Sequence, residues 1–407
     1  MLGPYRRVLA TPGAPAFTSA GFVGRLPISM ISLGIVLLEV SQGSSYAIAG
    51  TISASFAVAA AVGGPVVSGF VDRHGQHRIL PMAVIVYSVF MVALLVALDA
   101  DVPLSLVIPL AVGAGMSMPN LGALIRARWA YTVHDADGIN VAYAWESILD
   151  EVVFVVGPPL ATVLALQIHP TAALVVCVVL VIVGTAWLIP QRRTEPPPHG
   201  RLDRRGEFAL RNPGMPFLFV AFIFIGGIFG SFEVVTVAFA QEQDVTRWTG
   251  ALLAVYAFGS LLAGFTYGAM PSPRFHGRRM TQALTLMAVV TLGFPLAPNA
   301  VVLAPIALLA GLSVSPVLIS GTALVERIVP ARQLTEAITW TSTGMALGIA
   351  IAAPVSGALI DTRGAHVAYL VTAGCAIVAW IISLAAYRTT QQAEVRALAI
   401  IAAKQSA

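Results

Sequence analysis

Three carboxylates, Glu146, Asp150 and Glu151, stand in the stretch AWESILDEVVFVVGPPL (residues 144–160), which otherwise reads as a helix made for hydrocarbon. On insertion scales each acid costs about 2.5–3.5 kcal/mol at the centre of a bilayer, so such groups face protein or a watery cavity. Glu146 and Asp150 are four apart and share a helical face, whereas Glu151 is turned about 100° from Asp150 and shares a stripe with Ser147 and Pro158. If the helix enters from the cytoplasm near Gly138, Glu146 lies about 12 Å deep and the other two about 18–20 Å, near the midplane. Arg25, in FVGRLPISM, reaches nearly the depth of Glu146 and is a counter-ion for Glu146 or Asp150; the alternative is a side chain that snorkels to the cytoplasmic edge. One arginine cannot neutralise three acids, so at least one is expected to carry a proton part of the time. Three roles stay open: proton exchange by Asp150 or Glu151, a structural hydrogen-bonded cluster, or direct contact with a cationic substrate. Glu233, in GGIFGSFEVV, lies deep in a later apolar run, either facing an external vestibule or held by a structural hydrogen bond.

The elements that must position these groups are membrane spans. Of 407 residues, 57% are hydrophobic and only 10% charged, against roughly 25% charged in a soluble domain. Runs long enough to cross about 30 Å of hydrocarbon fall near residues 17–40, 45–71, 79–98, 102–128, 138–167 and 170–190. They resume near 213–240, 247–269, 280–298, 300–326, 333–360 and 365–387, which predicts twelve spans in two sets of six. Alternate loops and ends collect 20 of the 23 Lys and Arg residues, so the positive-inside rule puts both termini in the cytoplasm and the chain in the cytoplasmic membrane. The net charge of +4 thus reports topology and gives no reason to expect nucleic acid. The first residues lack the short apolar core and cleavage site of a secretory signal, so the first run is expected to be a permanent span. Cys177 and Cys375 fall in separate spans and are expected to be inert. The seven histidines show no metal-ligand spacing, no nucleophile constellation stands out, and no phosphate-binding glycine loop occurs. Neither an enzyme, nor a metal, nor a cofactor is expected.

The two sets look like copies. TPGAPAF at 11–17 returns as NPGMPFL at 212–218, AGMSMP at 114–119 parallels AGLSVSP at 310–316, and Trp145, Ser147 and Pro159 recur as Trp340, Ser342 and Pro354. Several echoes in one order argue for duplication. The expected architecture is all-α: twelve transmembrane helices in two six-helix bundles related by a pseudo-two-fold along the membrane normal, with a substrate site between the halves. The predicted divisions are an N-terminal bundle at 1–190, a charged, proline-rich cytoplasmic linker at 191–212, a C-terminal bundle at 213–387 and a cytoplasmic tail at 388–407. The tail is weakly amphipathic, either lying on the membrane or frayed.

The turn after the second run, SGFVDRHGQHRIL (68–80), resembles the signature loop of the major facilitator superfamily, roughly G-x-x-x-D-R-x-G-R-R, through Gly69, Asp72, Arg73, Gly75 and Arg78. Gln76 and His77 depart from the usual basic pair. The resemblance implies that Asp72 and Arg73 form a cytoplasmic latch that stabilises an outward-open state, with Arg126 or Arg128 as further partners; otherwise the loop is a charged turn that sets topology. VVFVVGPPLA (152–161) resembles a degraded form of the glycine-proline motif of the family's antiporters, with Gly157 and Pro158 in place as a helix bend or a packing kink. The family's usual arginine in the middle of the fourth span is absent. Together these imply a monomeric secondary transporter, coupled to protons, that exports small, partly apolar molecules. Uptake or facilitated diffusion of a sugar or other metabolite is the alternative, as is a non-transporting sensor with the same fold.

Overall fold

The computed structural model describes residues 3–100, 102–133, 135–198, 209–269, 275–330 and 333–405. Among these there is no strand. A hydrocarbon solvent leaves backbone polar groups no partner but one another, and the α-helix satisfies them within a single segment.

By internal contacts the chain forms two units, one of Met1–Ser44, Thr51–Asp203 and Arg247–Ala254, the other of Ser45–Gly50, Arg204–Thr246 and Val255–Ala407. Helices α1 (Gly3–Leu9), α2 (Ala14–Arg25), α3 (Ile31–Ser41), α4 (Tyr46–His74) and α5 (Gln76–Asp99) come first. They are followed by α6 (Leu104–Ser117), α7 (Leu121–Thr132), α8 (Ala136–Val163) and α9 (Ala172–Leu188). The later helices are α10 (Met215–Glu242), α11 (Thr249–Ala269), α12 (His276–Thr291), α13 (Ala300–Ile328), α14 (Leu334–Arg363) and α15 (Ala365–Gln405). Counted across short breaks, 11 segments among the described residues are long and apolar enough to cross a membrane, and α9 adds a shorter apolar helix of 17 residues. On α5, Met82, Ile85, Val89 and Val96 are each more than 60% exposed, while Leu80, Tyr87, Met91 and Leu94 are buried. The exposed set recurs at helical spacing, the pattern of a helix whose outer stripe meets lipid.

Two of the breaks in the expected spans lie beside functional candidates. The first span changes to a 3-10 turn at Leu26–Ser29, where Pro27 lacks the amide that an α-helix needs. The fourth is interrupted at 118–120, around Pro119, and restarts at Leu121 with the Asn120 side chain accepting the Ala123 N–H at 3.1 Å. Arg25 therefore ends one helical segment, and Arg126 stands in the second turn of another. By contrast, α8 runs unbroken through Pro158 and Pro159 and widens to a π turn only at Leu164–Ile168. No break separates the last span from the tail: α15 is one helix of 41 residues, about 61 Å long at 1.5 Å per residue.

In the first unit, Phe17, Ala20, Leu121, Leu124, Ile125, Trp129 and Leu188 form a closed apolar core. Phe17 meets Trp129 edge to face at 4.8 Å. In the second, Phe232, Phe239, Phe294 and Tyr369 stack together, and the Tyr369 hydroxyl bonds to Thr236 at 3.1 Å.

Candidate functional site: a buried charge cluster in the first unit

Arg25, at the C-terminal end of α2, is 1% exposed and spends all three kinds of guanidinium N–H. Its Nε donates to the Gly21 carbonyl at 3.1 Å, Nη1 to Asp150 Oδ1 at 2.8 Å and Nη2 to Glu146 Oε2 at 2.5 Å. The planar fork suits this, because two carboxylates one helical turn apart on α8 present their oxygens side by side. Glu146 is wholly buried and fully satisfied: besides Arg25 it accepts the Trp129 Nε1–H at 2.8 Å and the Thr18 hydroxyl at 3.4 Å. Asp150 is 36% exposed and is also bound by Arg126, whose Nη2 donates to Oδ2 at 2.7 Å. The result is a chain of alternating charge, Glu146, Arg25, Asp150 and Arg126, drawn from α8, α2 and α7. Two cations meet two anions, so the cluster is neutral as drawn.

One arginine was expected to serve three acids; a second now joins, from a position assigned by resemblance to the loop latch. Two members were missed from sequence. Trp129 lies three residues beyond Arg126, one turn along α7, and an indole N–H at the depth of a buried acid is the signal that could have found it. Thr18, about two turns before Arg25 on α2, carries no such signal.

The other candidates fall elsewhere. Glu151 is half-buried next to Asp150. Glu233 is in α10 of the second unit, where its Oε1 is buried without a hydrogen-bond partner among the described residues. Gly157 packs against the 3-10 turn of the first span: a Cβ there would collide with the Ser29 side chain and lie 3.2 Å from Met30 Cγ. The Ser29 hydroxyl donates to the Val153 carbonyl at 2.8 Å, and the Pro158 carbonyl takes the Thr162 hydroxyl at 2.8 Å. At this place Gly157 is a point of close packing between the first and fifth spans.

In the signature loop, Asp72, Arg73 and Arg78 are exposed, and their side chains form no ion pair or hydrogen bond among the described residues. Gly69 has open room around a notional Cβ, whereas Gly75 has φ +92° and begins the turn into α5. Arg128, wholly buried, donates to Gln76 Oε1, the Gln191 carbonyl and the Thr194 hydroxyl at 2.7–2.8 Å, and to the Leu188 carbonyl at 3.3 Å. Its partners are thus Gln76 at the start of α5, the end of α9 and the start of the connector, and not Asp72. Glu195 completes this corner, accepting from the His77 ring at 2.9 Å and the His77 N–H at 3.1 Å. Burial pushes the Glu195 carboxyl up, but the two His77 hydrogen bonds, with the charges of His77 and Arg128, outweigh it and hold the group below the usual glutamate range. Among the described residues no group of three His, Cys, Asp or Glu side chains is arranged to hold a metal ion.

The family model described as Major Facilitator Superfamily matches residues 17–304 and 249–404. No curated protein matches the chain significantly. Among solved structures, the chain is similar to the nucleoside transporter NupG, with 14% identity, a TM-score of 0.73 and coverage of 92% of this chain and 98% of that one. A bacterial homolog of the human lysosomal transporter Spinster, inward-facing and unoccupied, gives 16% identity and a TM-score of 0.65, with 98% of each chain covered. The human organic anion transporter MFSD10 gives 14% identity and 0.59, with 94% of this chain and 99% of that one covered. These likenesses are of fold. With the helical array and the two family matches together, the chain belongs to the Major Facilitator Superfamily, whose members are transporters and not enzymes.

Proposed function

We propose that the chain is a twelve-span secondary transporter of the cytoplasmic membrane, both termini inside, that exports small, partly apolar molecules in exchange for protons by alternating access. The observation that carries this reading is the position of Asp150: in a cluster whose Arg25 and Glu146 are closed to solvent, it is 36% exposed and bridges two arginines. A proton taken up by Asp150 removes the negative end of both bridges. Arg25 retains Glu146, while Arg126, itself 34% exposed, is released towards water. The tie between α7 and α8 weakens and the cluster gains one positive charge. A ligand biases only states that it contacts differently, and a proton that makes or breaks a helix-to-helix tie meets that condition. Glu151 and Glu233 are the further proton-carrying candidates. Export, as against uptake, rests on the likeness of 152–161 to the antiporter motif, and the latch role of Asp72 and Arg73 rests on the signature loop.

The test uses purified protein in proteoliposomes and a substrate found by a ligand-stability screen, nucleosides included because NupG shares the fold. Native protein should move substrate against its gradient when a pH difference is imposed. Asp150→Asn should lose that net flux and keep exchange of substrate for substrate. Uphill flux with an unchanged pH profile in both Asp150→Asn and Glu151→Gln would make the acids structural. Loss of substrate binding itself would make them ligands for a cation.

A further inference from the structure

The corner around Glu195 is built twice. His77, Arg128 and Glu195 recur as His276, Arg327 and Glu394, each 199 residues later. In the first unit Glu195 Oε1 accepts the backbone N–H of His77 at 3.1 Å; in the second, Glu394 Oε1 accepts the backbone N–H of His276 at 2.7 Å and Oε2 that of Gly277 at 3.2 Å. Both glutamates follow the sixth span of their half, and both reach back to the turn between its second and third spans. In each turn a glycine makes room. A Cβ on Gly75 would lie 3.0 Å from Glu195 Oε1, and one on Gly277 would lie 3.4 Å from Glu394 Oε2.

The two copies differ in which group supplies the positive charge. In the second unit Arg327 Nη1 lies 3.9 Å from Glu394, and no His276 ring atom bonds to that carboxylate. In the first, Arg128 is turned onto four neutral acceptors, one of them Gln76 Oε1 at 2.7 Å, and the imidazole of His77 takes the carboxylate at 2.9 Å. The departure of Gln76 and His77 from the basic pair is thereby explained: a basic residue at 76 would repel Arg128, whereas glutamine accepts from it. The other charged groups nearby, Asp72, Arg73 and His74 on α4, Arg78 on α5, and Arg192 and Arg193 on the connector, are exposed. The His74 ring is turned back on the Phe70 carbonyl at 3.0 Å.

We propose that His77 and Glu195 form a titratable clasp that pins the start of the connector to the turn between α4 and α5, tight at acid pH and loosened as the pH on that side rises. With Glu195 held ionised, the charge that can vary in the pair is the ring's, histidine being the side chain that gains or loses its charge across the physiological range. Protonated, the ring makes a charge-assisted bond; neutral, it keeps a weaker one. The matching corner of the second unit relies on arginine, which does not titrate in this range. The clasp does not depend on the substrate or on proton-coupled transport.

Hydrogen exchange on the full-length protein in lipid nanodiscs tests it, read as protection factors so that the intrinsic pH dependence is divided out. Protection at the amides of residues 75–77 and of Thr194 and Glu195 should fall about tenfold between about pH 6 and pH 8, while that at His276 and Gly277 stays level. His77→Gln, which offers a neutral donor at every pH, should give low and level protection at both segments of the first unit. Glu195→Gln should do the same and serves if the first variant does not fold. A native profile that is level, or a slope that survives both substitutions, would overturn the clasp.

Discussion

Replacing Arg25 by alanine tests the charge cluster most directly. The substitution deletes a donor to Glu146 at 2.5 Å and one to Asp150 at 2.8 Å, from a site only 1% exposed. Asp150 keeps Arg126, and its partial exposure lets water solvate the rest. Glu146 is less fortunate, because only the Trp129 indole and the Thr18 hydroxyl remain and neither carries a charge. Stranding one buried ion of a pair costs about 3–5 kcal/mol. For a unit of roughly 200 residues, at about 2–4 °C per kcal/mol, that is a fall in Tm of about 6–20 °C. Removing both ends should hurt less: Arg25→Ala with Glu146→Gln leaves no unpaired charge, so much of the loss should return. Thermal unfolding of the purified single and double variants, arranged as a double-mutant cycle, measures the coupling. An Arg25→Ala variant within about 2 °C of native, or a double variant whose loss equals the sum of the singles, would refute the argument that this pair is closed from solvent.

Two further outcomes separate positions that sequence alone treats alike. Gly157→Ala should cost about 1–3 kcal/mol, because the new methyl meets Ser29 and Met30, whereas Gly69→Ala, with nothing within 4 Å, should stay within about 0.5 kcal/mol of native; equal effects in thermal unfolding would refute the packing account. Single cysteines at Gly200, which lies outside the described residues, and at Asp244 should react with an impermeant maleimide from opposite sides of the membrane, Gly200 from the cytoplasm. Labelling of both from one side would remove the twelve-span topology.

Hydropathy is a local property, and so are the helices it produces; the run at 79–98 could be read by counting and is met by α5, Gln76–Asp99. The acids of α8 were legible for the same reason, since a charge in an apolar run stands out with no knowledge of its neighbours. Duplication was legible where it preserved residue types, as with Trp145 and Trp340. What the chain alone determined was therefore the set of helices, the approximate depth of each charge along its own helix, and the kinship of the two halves. Only the tertiary structure decided which charges meet. Depth along an axis says nothing about rotation around it, and the interruptions at Pro27 and Pro119 reset the rotational phase of the segments that carry Arg25 and Arg126. For that reason Arg126 could be assigned to a loop when its guanidinium lies on Asp150. Trp129 and Thr18 were hidden for a related reason: hydrogen-bonding to a buried acid depends on neighbours more than a hundred residues away or on an adjacent helix, and neither residue type is unusual in a span. Glu195 was hidden most completely, because in sequence it belongs to a charged, proline-rich connector, and only the left-handed turn at Gly75 brings the backbone of His77 to its carboxylate.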